Sequence, residues 1–341
     1  MSALIDTGTA RTWAVSTTPR GPHATPEQAR AVAEELAERA RQSQELVAAA
    51  TGLIATGQHD VVIADRPTWI DSNLRALDVM TTGLTPEVSA PMRAIGSRMT
   101  AANVGAALGW LSGHVLGQYE ATDPRGRLLL VAPNIVRTES ELGVEPSAFR
   151  FWVCLHEETH RVQFGAVPWL REYFLARVRL VLEPRSMPAM AGARYAFSVI
   201  SQVFDALRTD AELDLVSLAP HADQREAMND LIALMTVLEG HADVVMDIAG
   251  VGAIDDLAAI RSLFENRRDT SRDHHRIIRK LLGMDAKLRQ YREGAAFISA
   301  VLDRGGMTAV NALWESPANL PTLEEIETPA LWWRRVVSAA A

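Results

Sequence analysis

The sequence predicts a mainly helical protein with a small β-sheet, an α+β fold. Three observations lead there. Thr25-Pro26-Glu27-Gln28 is a helix start, with an N-cap, a proline in the first turn and a glutamine three residues after the cap, and an amphipathic stretch follows it to about Ala55. Leu128 to Val136 is the most convincing strand in the chain. Much of the remainder, above all the stretches near 146–165 and 224–248, repeats apolar residues at helical spacing.

Taken in order, residues 1–24 read as an N-terminal extension and residues 25–341 as a single domain. In the extension, Trp13-Ala14-Val15 is expected as a short strand or a docked segment. The long helix after Thr25 turns Val32, Leu36, Ala40 and Val47 inward. A loop then leads to a helix around Trp69 to Val79, and a turn to another helix from Pro86. Between Arg98 and Glu120 there is no charged residue, and Gly105, Gly109, Gly113 and Gly117 recur at every fourth position. Such a flat stripe lets another helix approach closely. The length would suffice for a membrane span, but Asn103, Ser112, His114, Gln118 and the glycines lower its hydrophobicity, so a buried, tightly packed helix is expected. His114 then reads as a core or groove residue.

The strand at Leu128 to Val136 has two readings of equal weight, an interior strand or an edge strand that could pair with an extended peptide, and Pro133 favours the edge. Further helices are expected over Trp169 to Leu182, Ala193 to Leu207, Ala211 to Leu218, Ile254 to Phe264 and Arg272 to Phe297, with a connection from Pro184 to Ala191.

A chain of 341 residues with 48% hydrophobic content is globular. Its net charge of −8 argues against nucleic-acid partners, which need clustered Lys and Arg. Arg267, Arg268, Arg272, Arg276 and Arg279, with His274 and His275, form a local basic stretch that acidic residues interrupt, so it reads as a solvated helix face. The single cysteine, Cys154, excludes an intramolecular disulfide and suits a reducing compartment. The N-terminus lacks a basic region followed by an apolar core, so no signal peptide is read and the expected location is the cytoplasm.

The chemistry is concentrated in Leu155-His156-Glu157-Glu158-Thr159-His160-Arg161, an H-E-x-x-H pattern. Residues four apart on a helix share a face, so His156 and His160 can offer two imidazole nitrogens to one metal ion, with Glu157 beside the open position as general base. Phe149, Trp152, Val153 and Phe164 fall on the same face and set the pair on the buried side. Cys154 lies about 200° away and reads as a buried apolar residue. The third ligand is sought in Leu238-Glu239-Gly240-His241-Ala242-Asp243, where Glu239 and Asp243 share one helical face and His241 points about 200° from Glu239. Glu239 is the expected ligand, with Asp243 holding the outer N–H of a liganding histidine. A set of three histidines including His241 stays open as the alternative. Tyr291, His274, His275 and Arg276 are candidate donors to a developing oxyanion.

These segments, together with Gly117-Gln118-Tyr119-Glu120, Leu130-Val131-Ala132-Pro133-Asn134-Ile135 and a tail carrying Gly306-Met307, Leu313-Trp314, Pro317, Leu320-Pro321, Glu325-Ile326, Pro329 and Trp332, resemble a bacterial family of zinc-dependent metalloproteases with a zincin-like fold. Its members are mostly uncharacterised hydrolases, and one branch of similar length is associated with biosynthesis of a deazaflavin coenzyme. No activity on that coenzyme is carried over. The resemblance implies a zincin-like fold and a zinc site of the gluzincin type, in which His156, Glu157 and His160 match the family motif and Glu239 its E-G-x-A-D segment. The expected function is hydrolysis of a peptide or small amide substrate by zinc-activated water. Two rivals remain, a metal-stabilised binding or scaffold protein without catalysis and an amidase acting on a small metabolite.

Overall fold

The computed structural model describes residues 5–56, 60–82, 90–183, 219, 221–270 and 288–338. It is mainly helical with one small three-stranded sheet, as expected. Helix α1 (Thr7–Thr17) is capped by the Asp6 carboxylate, which accepts from the Thr9 N–H. Trp13-Ala14-Val15 is therefore helical and not a strand. The low apolar contrast of the segment hid this, because the buried residues of α1 are the small Ala10 and Ala14.

Helix α2 (Pro26–Thr51) begins with the capping box read from the sequence, Thr25 N–H donating to Gln28 Oε1 at 2.8 Å and Gln28 N–H to Thr25 Oγ1 at 3.3 Å. It ends at Thr51, four residues earlier than expected, and is capped by Gly52, whose φ of 70° favours a residue without Cβ. Leu36, Ala40 and Val47 are fully buried, and Val32 packs against them.

The sheet has the order β1-β3-β2. Strand β1 (Asp60–Ala64), five residues in a stretch expected to be loop, pairs in parallel with β3 (Arg127–Val131), which pairs antiparallel with β2 (Gly117–Tyr119). The predicted strand thus lies at the centre of the sheet and β2 at an edge. It also stops at Val131, because Pro133 falls in the first turn of helix α5 (Ala132–Leu142), where its missing N–H leaves no hydrogen bond unmade. The edge reading of Leu128 to Val136 is corrected accordingly.

Between β1 and β2 run α3 (Arg66–Thr81) and α4 (Ala90–Ser112). The glycine stripe works as expected at Gly105 and Gly109, whereas Gly113 follows the end of α4 and Gly117 lies in β2. A Cβ on Gly105 would lie 2.3 Å from the Ala10 carbonyl oxygen, and one on Gly109 would lie 2.4 Å from that of Ala14, so α1 crosses α4 in backbone contact. Among the described residues no helix is long and apolar enough to cross a membrane.

Helix α6 (Pro146–Ala166) runs through the middle of the molecule, with α2, α5, β2 and β3 packed around it. The Glu145 carboxylate caps it by accepting from the Ser147 and Ala148 N–H groups. Arg150 ties it to its neighbours, pairing with Glu35 on α2 and, at 2.6 and 2.9 Å, with Glu139 on α5. Helix α7 (Leu170–Leu182) follows. The next described element, α8 (Ala222–Gly250), packs on α6, α7 and α2.

After α9 (Leu257–Thr270), helix α10 (Leu288–Asn311) crosses α8 and is broken at Gly306, whose φ is 69°. A Cβ on Gly240 of α8 would lie 2.2 Å from the carbonyl carbon of Gly294 on α10, so the two backbones touch there. The tail closes this side through Leu313, Trp314, Ile326 and Trp332, which join one apolar cluster with Leu234, Val237 and Leu238 of α8. The helices expected over 193–207 and 211–218, and the start of the one expected over 272–297, lie outside the described residues.

The α1–α4 crossing yields the first expected outcome. Gly109→Ala places its Cβ 2.1 Å from Thr17 Oγ1 and should destabilise the fold by roughly 1–3 kcal/mol. Gly8→Ala, whose Cβ would meet only Asp6 Oδ1 at 3.4 Å, should hold or raise stability. Thermal unfolding of the two variants makes the comparison.

Candidate metal centre

In α6 every residue from Phe151 to Thr159 is buried, including the ionisable His156, Glu157 and Glu158. Burying a charge without a partner costs several kcal/mol, so each of these groups must find one. Glu158 takes Arg161 one turn on, in a two-pronged pair at 2.5 and 2.7 Å. It is thereby separated from the chemistry of its neighbours.

His156 and His160 face Glu239 of α8. The two Nε2 atoms are 3.2 Å apart, His156 Nε2 is 3.5 Å from Glu239 Oε2, and His160 Nε2 is 3.5 Å from Glu239 Oε1. One donor atom from each of the three residues falls within 4.8 Å of the others. The imidazole planes stand at 88° to one another. Two nitrogens bound to one tetrahedral zinc ion at about 2.05 Å would be about 3.3 Å apart, and the observed pair has that separation.

Asp243, four residues after Glu239, has Oδ1 4.0 Å from His156 Nδ1, on the outer side of the ring but beyond hydrogen-bond distance of it. Glu157 lies against the sheet. A Cβ on Gly117 of β2 would lie 2.4 Å from Glu157 Cδ and 2.7 Å from its Oε1, so only glycine lets the carboxylate rest over the edge strand.

The electrostatics call for a cation. Glu157, Glu239 and Asp243 surround two imidazoles in a buried volume. Burial pushes His156 down, but Glu239, with Glu157 and Asp243 behind it, outweighs that and lifts the imidazole to about 9. Burial holds His160 below its ordinary value. Burial pushes Glu157 up to about 7, His156 opposing the rise and Glu239 adding to it. A divalent ion on two nitrogens and an oxygen would add positive charge to this group of carboxylates. The donor set fits zinc, which takes histidine nitrogen and carboxylate oxygen together.

His241 stands apart from this cluster. It is fully buried, its ring meets Trp314 edge-on at 5.3 Å, and its Nδ1 is 3.0 Å from Gln163 Nε2. The structure does not assemble the three-histidine set, because His241 projects from another face of α8, as its spacing from Glu239 requires. Cys154 is buried with its Sγ 3.8 Å from the Leu36 carbonyl oxygen, away from the cluster. His274, His275 and Arg276 lie outside the described residues, as does the Tyr291 side chain. Sequence reasoning missed Gln163, whose Oε1 is 2.9 Å from His160 Nδ1. Its signal was the three-residue spacing from His160 on one helix.

Two imidazoles and a carboxylate on packed helices, with a further carboxylate beside them, form a centre of the kind that metal-dependent hydrolases carry. The chain belongs to the zincin-like metallopeptidase family, which it matches over residues 5–333. It is also similar to a crystal structure from Chloroflexus aurantiacus, provisionally described as a hydrolase with a novel fold. That likeness has 27% sequence identity and a TM-score of 0.70, and covers 97% of this chain and 98% of the other. A comparison with curated proteins finds no match.

The Glu158–Arg161 pair gives an expected outcome independent of any metal. Glu158→Ala leaves Arg161 buried beside the centre without its carboxylate and should cost about 3–5 kcal/mol. A fall in the urea unfolding midpoint would read this, and an unchanged midpoint would contradict it.

Proposed function

We propose that the chain is a zinc-dependent hydrolase cleaving amide bonds, with peptides as substrates, in which His156, His160 and Glu239 hold the ion and Glu157 is the general base. The observation that carries this reading is the position of Glu157, one residue from a converging donor triad and laid over the glycine of an edge strand. Zinc held by the triad supplies Lewis acidity, lowering the pKa of water and polarising a carbonyl oxygen.

The remaining steps belong to the chain's own groups. The Glu157 carboxylate takes a proton from the attacking water, the water oxygen adds to the amide carbon, and the C–N bond breaks as Glu157 returns the proton to the leaving nitrogen. A carboxyl raised toward neutrality by burial suits both halves of that transfer. Asp243 faces the outer edge of His156 and steadies its orientation.

The edge strand supports the peptide reading. Bonds from Val131 N–H to Leu116 O and from Glu120 N–H to Arg127 O place the β2–β3 pairing at alternate residues, which turns the Gly117 backbone groups away from β3. An extended peptide adding to that edge would run beside Glu157. The lone cysteine, packed as an apolar residue, accords with a cytoplasmic location.

Purified protein should hold about one zinc per chain. Glu157→Gln should keep that zinc and lose hydrolysis of a peptide library by roughly 10²–10⁴-fold. Undiminished hydrolysis would remove Glu157 from its role, and a metal-free wild-type protein would remove the centre. Gly117→Ala, which pushes the Glu157 carboxylate off the strand, should lower turnover on the order of 10²-fold with zinc content unchanged.

A further inference from the structure

We infer that Gln163 is a positioning residue of this centre: it fixes His160 as the Nδ1–H tautomer and so holds the Nε2 lone pair toward His156 and Glu239. Its effect on metal affinity rests on the proposed zinc site. Its effect on the tautomer does not.

A carboxamide can be turned either way, and here its surroundings decide. Gln163 Nε2 is 2.8 Å from the Leu238 carbonyl oxygen, which can only accept, so the NH₂ end must point there. Oε1 then faces His160 Nδ1 at 2.9 Å. An amide oxygen is satisfied only by a donor, so Nδ1 carries the proton and Nε2 is left as a lone pair. That lone pair is 3.2 Å from His156 Nε2 and 3.5 Å from Glu239 Oε1, at the point where the donors converge.

His241 completes the arrangement. Its Nδ1 accepts from the same Gln163 NH₂ at 3.0 Å, while Trp314 packs edge-on against its ring. Both partners of the NH₂ end, Leu238 O and His241 Nδ1, lie on α8, the helix that carries Glu239. One buried amide therefore couples the orientation of a nitrogen donor on α6 to the helix that presents the oxygen donor. The residue that competed with Glu239 for the third ligand position acts here as the anchor of the amide.

Without an acceptor opposite Nδ1, both neutral tautomers of His160 become accessible, and the Nε2–H form puts a hydrogen where the cation belongs. Loss of such outer partners typically weakens metal binding by about 10–100-fold. The test uses the full chain. Ring-nitrogen NMR of the zinc-free protein, with His160 assigned by the signal lost in His160→Ala, should show Nδ1–H in the wild type and a shift toward Nε2–H in Gln163→Leu. Competition with a chromophoric chelator should show zinc binding weakened by roughly 10–100-fold in Gln163→Leu.

A wild-type His160 in the Nε2–H form overturns the inference, as does a leucine variant that binds zinc as tightly as the wild type. If Gln163→Leu does not fold, the wild-type tautomer still decides. A wild-type protein that takes up no zinc defeats the proposed function, while the tautomer measurement goes on judging Gln163.

Discussion

Helix α6 carries a succession of ionisable side chains through the middle of an apolar core, and the surrounding architecture answers to the need to match each of them. Glu158 is matched by Arg161 within the helix. His160 is matched by Gln163 on one ring edge, and both histidines by Glu239 across the helix interface. Glu157 is matched least, held against the edge strand by the shape of Gly117 and by little charge of opposite sign. The group left under-compensated is the one assigned the proton transfer. The same burial that makes the arrangement costly to fold raises this carboxyl into a useful range.

The backbone contacts that bring these groups together fall at glycines. At the Gly240–Gly294 crossing, α10 presses against α8 one residue beyond Glu239. The tail then packs Leu313, Trp314 and Trp332 into the cluster on that side, with Trp332 fully buried. Residues far along the chain thus hold Glu239 in place without touching any reacting group. This accounts physically for the resemblance extending into the tail, where no candidate for chemistry was visible.

The helical class, the long capped helix and the closely packed glycine stripe were legible because each is a local matter of spacing or of one turn's hydrogen bonds. The convergence of His156, His160 and Glu239 was legible because two i, i+4 patterns fixed which side chains share a face. The sheet was not legible in the same way. Strand β1 is only five residues, and an apolar run of that length does not distinguish strand from loop until a partner is known. Pro133 carried two physical meanings, strand edge or first helical turn, and only tertiary context chose between them. Gln163 escaped notice because its partners are an adjacent histidine and two groups on α8, far along the chain. The glycine at 117 was seen as part of a helix-packing stripe, whereas its closest neighbour is Glu157, brought there by folding.

Cys154, two residues before His156, faces the Leu36 carbonyl on the opposite side of α6, and burial raises its thiol far above the ordinary range. A sulfur ligand is therefore close in sequence and unreachable in space, leaving nitrogen and oxygen alone at the centre. Such a donor set has no thiolate for peroxide or electrophiles to attack. It also suits borderline ions such as cobalt or nickel better than soft ones such as copper(I).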